Sequence, residues 1–119
     1  MTETNALVDQ IVTALQDKKG HDVTIADLTH IDDTICQYFI LCTGNSPSHV
    51  QALAQNVGEE ILKKLGQHPV GVAGMRNSIW LAMDYADVMV HIFLPEEREF
   101  YDLEHLWADA ELVTLEDIL

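Results

Sequence analysis

The chain has 119 residues, 48% of them hydrophobic, and six lysines and arginines against twenty acidic residues give a formal net charge of −14. That length and apolar fraction fit one packed domain rather than a disordered polymer, and no run is long and apolar enough to span a bilayer. The charge argues against a grip on nucleic-acid backbone, which needs a basic patch to replace counterions, and the pairs Lys18-Lys19 and Lys63-Lys64 are small and separate.

The start, Met1-Thr2-Glu3-Thr4, lacks the basic and apolar regions of a signal peptide, so a cytoplasmic location is expected. Ala6, Leu7, Ile11, Val12 and Leu15 recur at helical spacing and predict an opening amphipathic helix, with Lys18-Lys19 suited to its C-terminal dipole and Gly20 as its stop. Val23, Ile25 and Asp27 alternate as in a strand. A turn at His30 to Thr34 leads to a second strand over Tyr38 to Thr43, apolar enough to be buried on both faces. If Cys36 and Cys42 share that extended segment, their Cα atoms lie about 20 Å apart, whereas a disulfide needs about 7 Å, so both thiols are expected reduced. Ser46 and Pro47 are a good cap and first residue for a helix whose stripe is Val50, Leu53, Ala54, Val57, Ile61 and Leu65, ended by Gly66. Pro69 to Gly74 adds a short strand. Two apolar runs, one starting at Trp80 and one ending at Phe93, form a hairpin, and a helical segment extends from Pro95 to Trp107. The last residues, Glu111 to Leu119, alternate acidic and apolar types and read as a short docking helix or a frayed end.

Several separated blocks carry a family resemblance. The pattern starts at Trp80-Leu81 and passes through Asp84-Tyr85, Asp87-Val88 and Val90-His91-Ile92-Phe93 to Arg98, Phe100-Tyr101, Leu103-Glu104 and Leu106-Trp107. Upstream stand Tyr38-Phe39-Ile40-Leu41-Cys42-Thr43-Gly44-Asn45-Ser46, His49-Val50 and Ala52-Leu53-Ala54. In order and spacing these resemble the Iojap family of ribosomal silencing factors, from Leu7 to Ala110. Gln37 stands where the family is usually acidic, and Ala86 replaces the usual glycine of the hairpin. The expected fold is α/β: a single three-layer domain over residues 1–110, with a mixed β-sheet of about five strands covered by helices and a nucleotidyltransferase-like topology, followed by an acidic amphipathic tail over 111–119.

The segments that carry chemistry elsewhere have plain structural readings here. Gly44-Asn45-Ser46 between strand and helix suits a phosphate cradle, but it suits a helix cap without any ligand, and the P-loop lysine is absent. The six histidines, His21, His30, His49, His68, His91 and His105, show no metal-ligand spacing, so no metal and no cofactor is expected. Nothing marks Cys42 as an activated nucleophile. The hairpin is more informative. Leu81, Met83 and Tyr85 share one face of the first strand, and Trp80, Ala82 and Asp84 the other; Val88, Val90 and Ile92 oppose Asp87, Met89 and His91 on the next. A register that joins them gives one mixed face of Trp80, Asp84, Asp87 and His91, the composition of an interface or of a buried polar network. Arg98 and Tyr101 pack their segment against the sheet, with Arg98 pairing a nearby carboxylate.

The resemblance implies a protein that is not an enzyme. Family members dock on a basic protein of the large ribosomal subunit, beside the surface where the small subunit joins, and repress translation by occlusion with little direct nucleic-acid contact. It nominates Trp80, Asp84, Tyr85, Asp87, His91, Arg98, Tyr101 and Trp107 as partner-binding residues, and it admits a homodimer. The competing reading is a nucleotidyltransferase-like nucleotide- or metal-binding enzyme, which would need a pocket joining Gly44 and Ser46 to Asp84 or Asp87.

Overall fold

The computed structural model describes residues 3–30, 36–102 and 111–117. Helix α1 (Glu3–Asp17) leads into strands β1 (His21–Asp27) and β2 (Tyr38–Thr43), then helix α2 (Pro47–Leu65). Strands β3 (Gly71–Ala73), β4 (Trp80–Asp84) and β5 (Val88–Phe93) come next, then helix α3 (Pro95–Tyr101) and strand β6 (Glu111–Thr114). The six strands form one mixed sheet in the order β3-β4-β5-β2-β1-β6, in which β2 and β5 are parallel and the other neighbours antiparallel. No helix among the described residues is long and apolar enough to cross a membrane.

The core follows from strand alternation. Ile40 and Cys42 of β2, Leu81 and Met83 of β4, and Val88, Val90 and Ile92 of β5 face α1 and α2. Leu7, Ile11 and Leu15 of α1 and Val50, Leu53, Val57 and Ile61 of α2 complete that cluster. The Asn56 amide ties the two helices by donating to the Ala14 carbonyl at 2.8 Å. The opposite face carries Ala26, Phe39, Leu41 and Phe93, with Trp80 and Met89 packed against them. Cys36 and Cys42 are free, as their spacing implies, and both are buried, one in each cluster.

Helix α2 ends as its residues dictate. The Ser46 hydroxyl accepts from the His49 N–H at 3.1 Å, and Gly66 takes φ 67° at the other end. Helix α1 stops differently from expectation. It ends at Asp17, and Lys19, at φ 63°, takes the left-handed position. Gly20 is required for a close approach: a Cβ there would lie 2.5 Å from the Cys42 sulfur.

The C-terminal segment also departs from expectation. Glu111–Thr114 is neither a docking helix nor a frayed end but the sixth strand, antiparallel to β1. All four of its residues are exposed, so backbone pairing rather than side-chain burial holds it to the sheet. Asp117 fastens the chain beyond the strand, accepting from the Asp22 N–H at 2.9 Å and pairing with His21 at 2.8 Å.

The hairpin between β4 and β5 holds Ala86 at φ 69°, where a Cβ is crowded. Asp84 compensates by accepting the Ala86 N–H at 2.7 Å. Ala86→Gly should relieve that crowding and, after the extra freedom of glycine in the unfolded chain is subtracted, stabilise the domain by about 0.5–1 kcal/mol. Thermal melts should show the midpoint rising by roughly 2–5 °C; a lower midpoint would mean that the turn carries no such strain.

Candidate partner-docking site

The register of β4 and β5 sets Trp80 opposite Phe93, Ala82 opposite His91 and Asp84 opposite Met89. Parallel pairing of β5 with β2 adds Phe39 beside Met89 and Leu41 beside His91 on the same face. The result is an aromatic cluster on the side of the sheet away from α1 and α2. Trp80 and Phe93 lie 5.4 Å apart by ring centroids, His91 stacks on Phe93 at 6.0 Å, and Phe39 meets His91 edge-on at 5.1 Å. Trp80 is half-buried at the margin, while His91 is only 7% exposed.

One hydrogen bond organises this cluster. The Trp80 indole N–H donates to His91 Nδ1 at 3.1 Å. An indole nitrogen only donates, so Nδ1 must present its lone pair and the ring proton sits on Nε2. Nε2 is buried with no hydrogen-bond partner among the described residues. Burial pushes the His91 pKa down to about 4, which keeps the ring neutral and able to accept from Trp80.

The acidic residues sit at the other end of the strand. Trp80 and Asp84 are four residues apart on β4, about 13 Å along the strand. Asp84, half-buried, caps the hairpin through its bond to Ala86. Asp87 lies in the turn, exposed, and accepts from the Thr4 hydroxyl of α1 at 3.2 Å. Both carboxylates line a cavity of about 230 Å³ with Cys36, Ala86 and Met89. The face therefore has an aromatic end and an acidic end with His91 between them.

Tyr85 is corrected by the alternation. Asp84 faces the aromatic side, so Tyr85 points among the helices, 5% exposed, and burial pushes its hydroxyl up to about 12. As a core side chain it offers almost no surface to a partner. Arg98 has a positioning role: its guanidinium donates to the Asp22 carbonyl at 2.7 Å and to the Thr43 and Thr24 hydroxyls at 2.9 Å each, tying α3 to β1 and β2. The side chain of Tyr101, and all of Trp107, lie outside the described residues. Sequence reasoning treats Phe39 and Phe93 only as apolar strand residues. Their places around His91 depend on the β2–β5 register, which no local pattern encodes.

The turn at Gly44 is already occupied by protein groups. The Asn45 N–H donates to His49 Nδ1 at 2.9 Å, His49 Nε2 contacts the Lys18 carbonyl at 2.7 Å, and Ser46 caps α2. A cavity of about 610 Å³ adjoins this turn, but its acids are Asp22, Glu99, Asp102 and Asp117. Asp84 and Asp87 line a separate cavity, so the pocket that a nucleotidyltransferase-like reading requires is not formed by these residues.

His91 has a measurable consequence. Its folded pKa, about 4, lies below the ordinary 6.5, so its contribution to stability is complete above pH 6.5 and is lost as pH falls towards 4. The loss should total about 3 kcal/mol. Asp27 and Asp117 are held below 3.8 by hydrogen bonds from Thr29 and His21, so they lose theirs only at lower pH. His91→Gln, which still offers Trp80 an acceptor, should flatten the limb between pH 6.5 and 4 in urea unfolding. An unchanged slope would mean that His91 takes up its proton equally in both states.

The family model described as "Ribosomal silencing factor during starvation" matches residues 1–119. The chain is 34% identical over 113 residues to the ribosomal silencing factor RsfS of Halalkalibacterium halodurans, covering 95% of each. It is 28% identical to the mouse protein named "Mitochondrial assembly of ribosomal large subunit protein 1", covering 85% of this chain and 45% of that one. A crystal structure from Chromobacterium violaceum superposes with a TM-score of 0.83 at 36% identity, covering 90% of this chain and 88% of that one. With its whole length matched, its fold shared and its hairpin signature in place, the chain belongs to the RsfS family of ribosomal silencing factors.

Proposed function

We propose that this chain binds a basic protein of the large ribosomal subunit through the Trp80 face and the acidic hairpin, and so blocks joining of the small subunit. The observation that carries the reading is a half-buried tryptophan, held in place by His91, on the same face as Asp84, which shares a cavity with Asp87 at the other end of the strand. Large rigid aromatics are the usual anchors of protein interfaces, and carboxylates at the rim select a basic partner. A net charge of −14 favours encounter with basic protein over phosphate backbone. The mouse relative, whose name joins it to large-subunit assembly, supports the choice of subunit. Repression by occupancy requires no bond to be made or broken, and we assign the protein no catalytic step. It would act in the cytoplasm, alone or as a homodimer.

Within this proposal Trp80, Asp84 and Asp87 touch the partner, His91 orients Trp80, and Arg98 and Tyr85 support the fold. Tyr101 and Trp107 remain candidates through the family signature alone.

Trp80→Ala should weaken co-sedimentation with purified large subunits by roughly thirtyfold, the effect of losing a hot-spot side chain of about 2 kcal/mol. Thermal melts run in parallel should show a folded variant; a folded Trp80→Ala that binds normally removes the residue from the interface. Asp87→Lys should also impair binding, and a compensating reversal on a basic residue of the ribosomal partner should partly restore it. If naked ribosomal RNA held the chain as well as intact subunits do, docking on protein would be disproved.

A further inference from the structure

Tyr85 carries a polar group that the fold does not use. Its ring packs in the core cluster with α1 and α2, and the residue is 5% exposed, yet its hydroxyl is buried without a hydrogen-bond partner. A buried phenol usually finds one, because a hydroxyl withdrawn from water and left unpaired is costly. Tyr85 also lines a cavity of about 160 Å³ with Thr4, Leu7, Gln67 and Asp87. The cavity lies between the start of α1, the segment after α2 and the hairpin turn.

The other polar groups of this cavity have bonding capacity to spare. Asp87 accepts from the Thr4 hydroxyl through Oδ2 at 3.2 Å, and its Oδ1 has no partner among the described residues. The Gln67 side chain makes no hydrogen bond among the described residues. Asp87, Gln67 and Tyr85 thus each bring an oxygen with free lone pairs to one small space, with Leu7 as its apolar wall. No lysine or arginine lines it. Lys63 and Lys64 precede Gln67 in sequence, but neither borders the cavity, and Lys64 pairs with Glu60 at 3.8 Å. The cavity on the other side of Asp87 adds Asp84 and, likewise, no cation.

A primary ammonium has three N–H donors and no acceptor, which matches one carboxylate and two neutral oxygens. A guanidinium has five donors in a planar fork and would leave two of them unmet. A water takes about 30 Å³, so about 160 Å³ admits an ammonium with the last methylenes of its stem, which Leu7 can cover. Resting on the reading that the acidic hairpin meets a basic ribosomal protein, we infer that this cavity takes one lysine side chain of that protein, with the Tyr85 hydroxyl as the group that selects it. Docking then completes a hydrogen bond that folding leaves unmade. Water alone would also satisfy the hydroxyl, but it would give Tyr85 no part in binding. Phosphate is repelled by Asp87 at the same place.

The test is Tyr85→Phe, which deletes the hydroxyl and keeps the ring. The free variant should melt at or above the parent's midpoint, because a buried group without a partner is removed. Its co-sedimentation with purified large subunits should nevertheless weaken about tenfold, the effect of one hydrogen bond to a charged group. A hydroxyl with a merely structural role would move these two readouts in the same direction. Gln67→Leu, at a half-buried position, should weaken sedimentation by about fivefold and keeps the test decisive if Tyr85→Phe unfolds. On large subunits whose lysine amines have been dimethylated, which keeps the charge but removes two N–H donors, the parent should bind no better than Tyr85→Phe. Three outcomes would overturn the proposal: a folded Tyr85→Phe or Gln67→Leu that binds like the parent, a Tyr85→Phe midpoint well below the parent's, or a parent that keeps its advantage on dimethylated subunits. If the parent chain itself failed to sediment with large subunits, the docking reading would fall and this lysine site with it. Normal binding by the parent and an equal Tyr85→Phe would remove the lysine site alone.

Discussion

The parallel pairing of β2 with β5 is the constraint on which the rest of this structure depends. Parallel strands cannot be joined by a tight turn, so the chain must leave the sheet and return. It does so through α2 and the β3–β4 pair. Once β2 and β5 occupy the centre, neither has an edge, and both faces must be covered. Helices α1 and α2 take one face. The other is filled by Phe39, Leu41, His91 and Phe93, so the proposed docking surface on β4 packs against the most deeply supported strands of the domain. A site placed there inherits the rigidity of the core rather than the mobility of a loop.

Burying polar groups on that face obliges the fold to satisfy them. Thr24 is fully buried, and its hydroxyl meets the Asp22 carbonyl, the Thr114 hydroxyl and the Arg98 guanidinium at once. This one group joins β1, β6 and α3. Arg98 is therefore worth more as a brace than as a surface charge, since removing it would leave buried hydroxyls without their strongest partner. The Trp80–His91 bond obeys the same logic at the site. A neutral imidazole is needed to accept the indole N–H, and burial of His91 supplies it. Fold stability and tryptophan orientation thus share one titrating group.

The legible parts of this sequence are those that local chemistry decides. Ser46, Pro47 and Gly66 bound α2 because cap and helix-stop preferences act within a turn. The two faces of the hairpin come from a period of two, which correctly separates Leu81 and Met83 from Trp80 and Asp84. That same alternation places Tyr85 in the core, and only its membership of the family signature suggests an interface. Register and pairing between distant segments are not legible in this way. Nothing near Glu111 announces that it will pair with Asp27, far earlier in the chain, and nothing near His91 announces Leu41 as a neighbour. Lys19 illustrates a smaller limit: glycine is the natural left-handed stop, but the packing against Cys42 has a prior claim on Gly20.

Charge gives the molecule a direction. Every acidic residue lies outside the stretch from Ile61 to Met83, which carries Lys63, Lys64 and Arg76, while Glu59, Glu60 and Asp84 border it. Trp80 lies within that stretch of sequence, yet its side chain faces the aromatic cluster, while Val72 and Met83 face the helix side. Strand β4 is thus the divide between two surfaces of different chemistry, one aromatic with an acidic end and one aliphatic. A protein that works by occupying a surface gains little from a flexible pocket. It gains from a rigid face that selects a partner by shape and charge, and the alternation of a five-residue strand is sufficient to separate one face from the other.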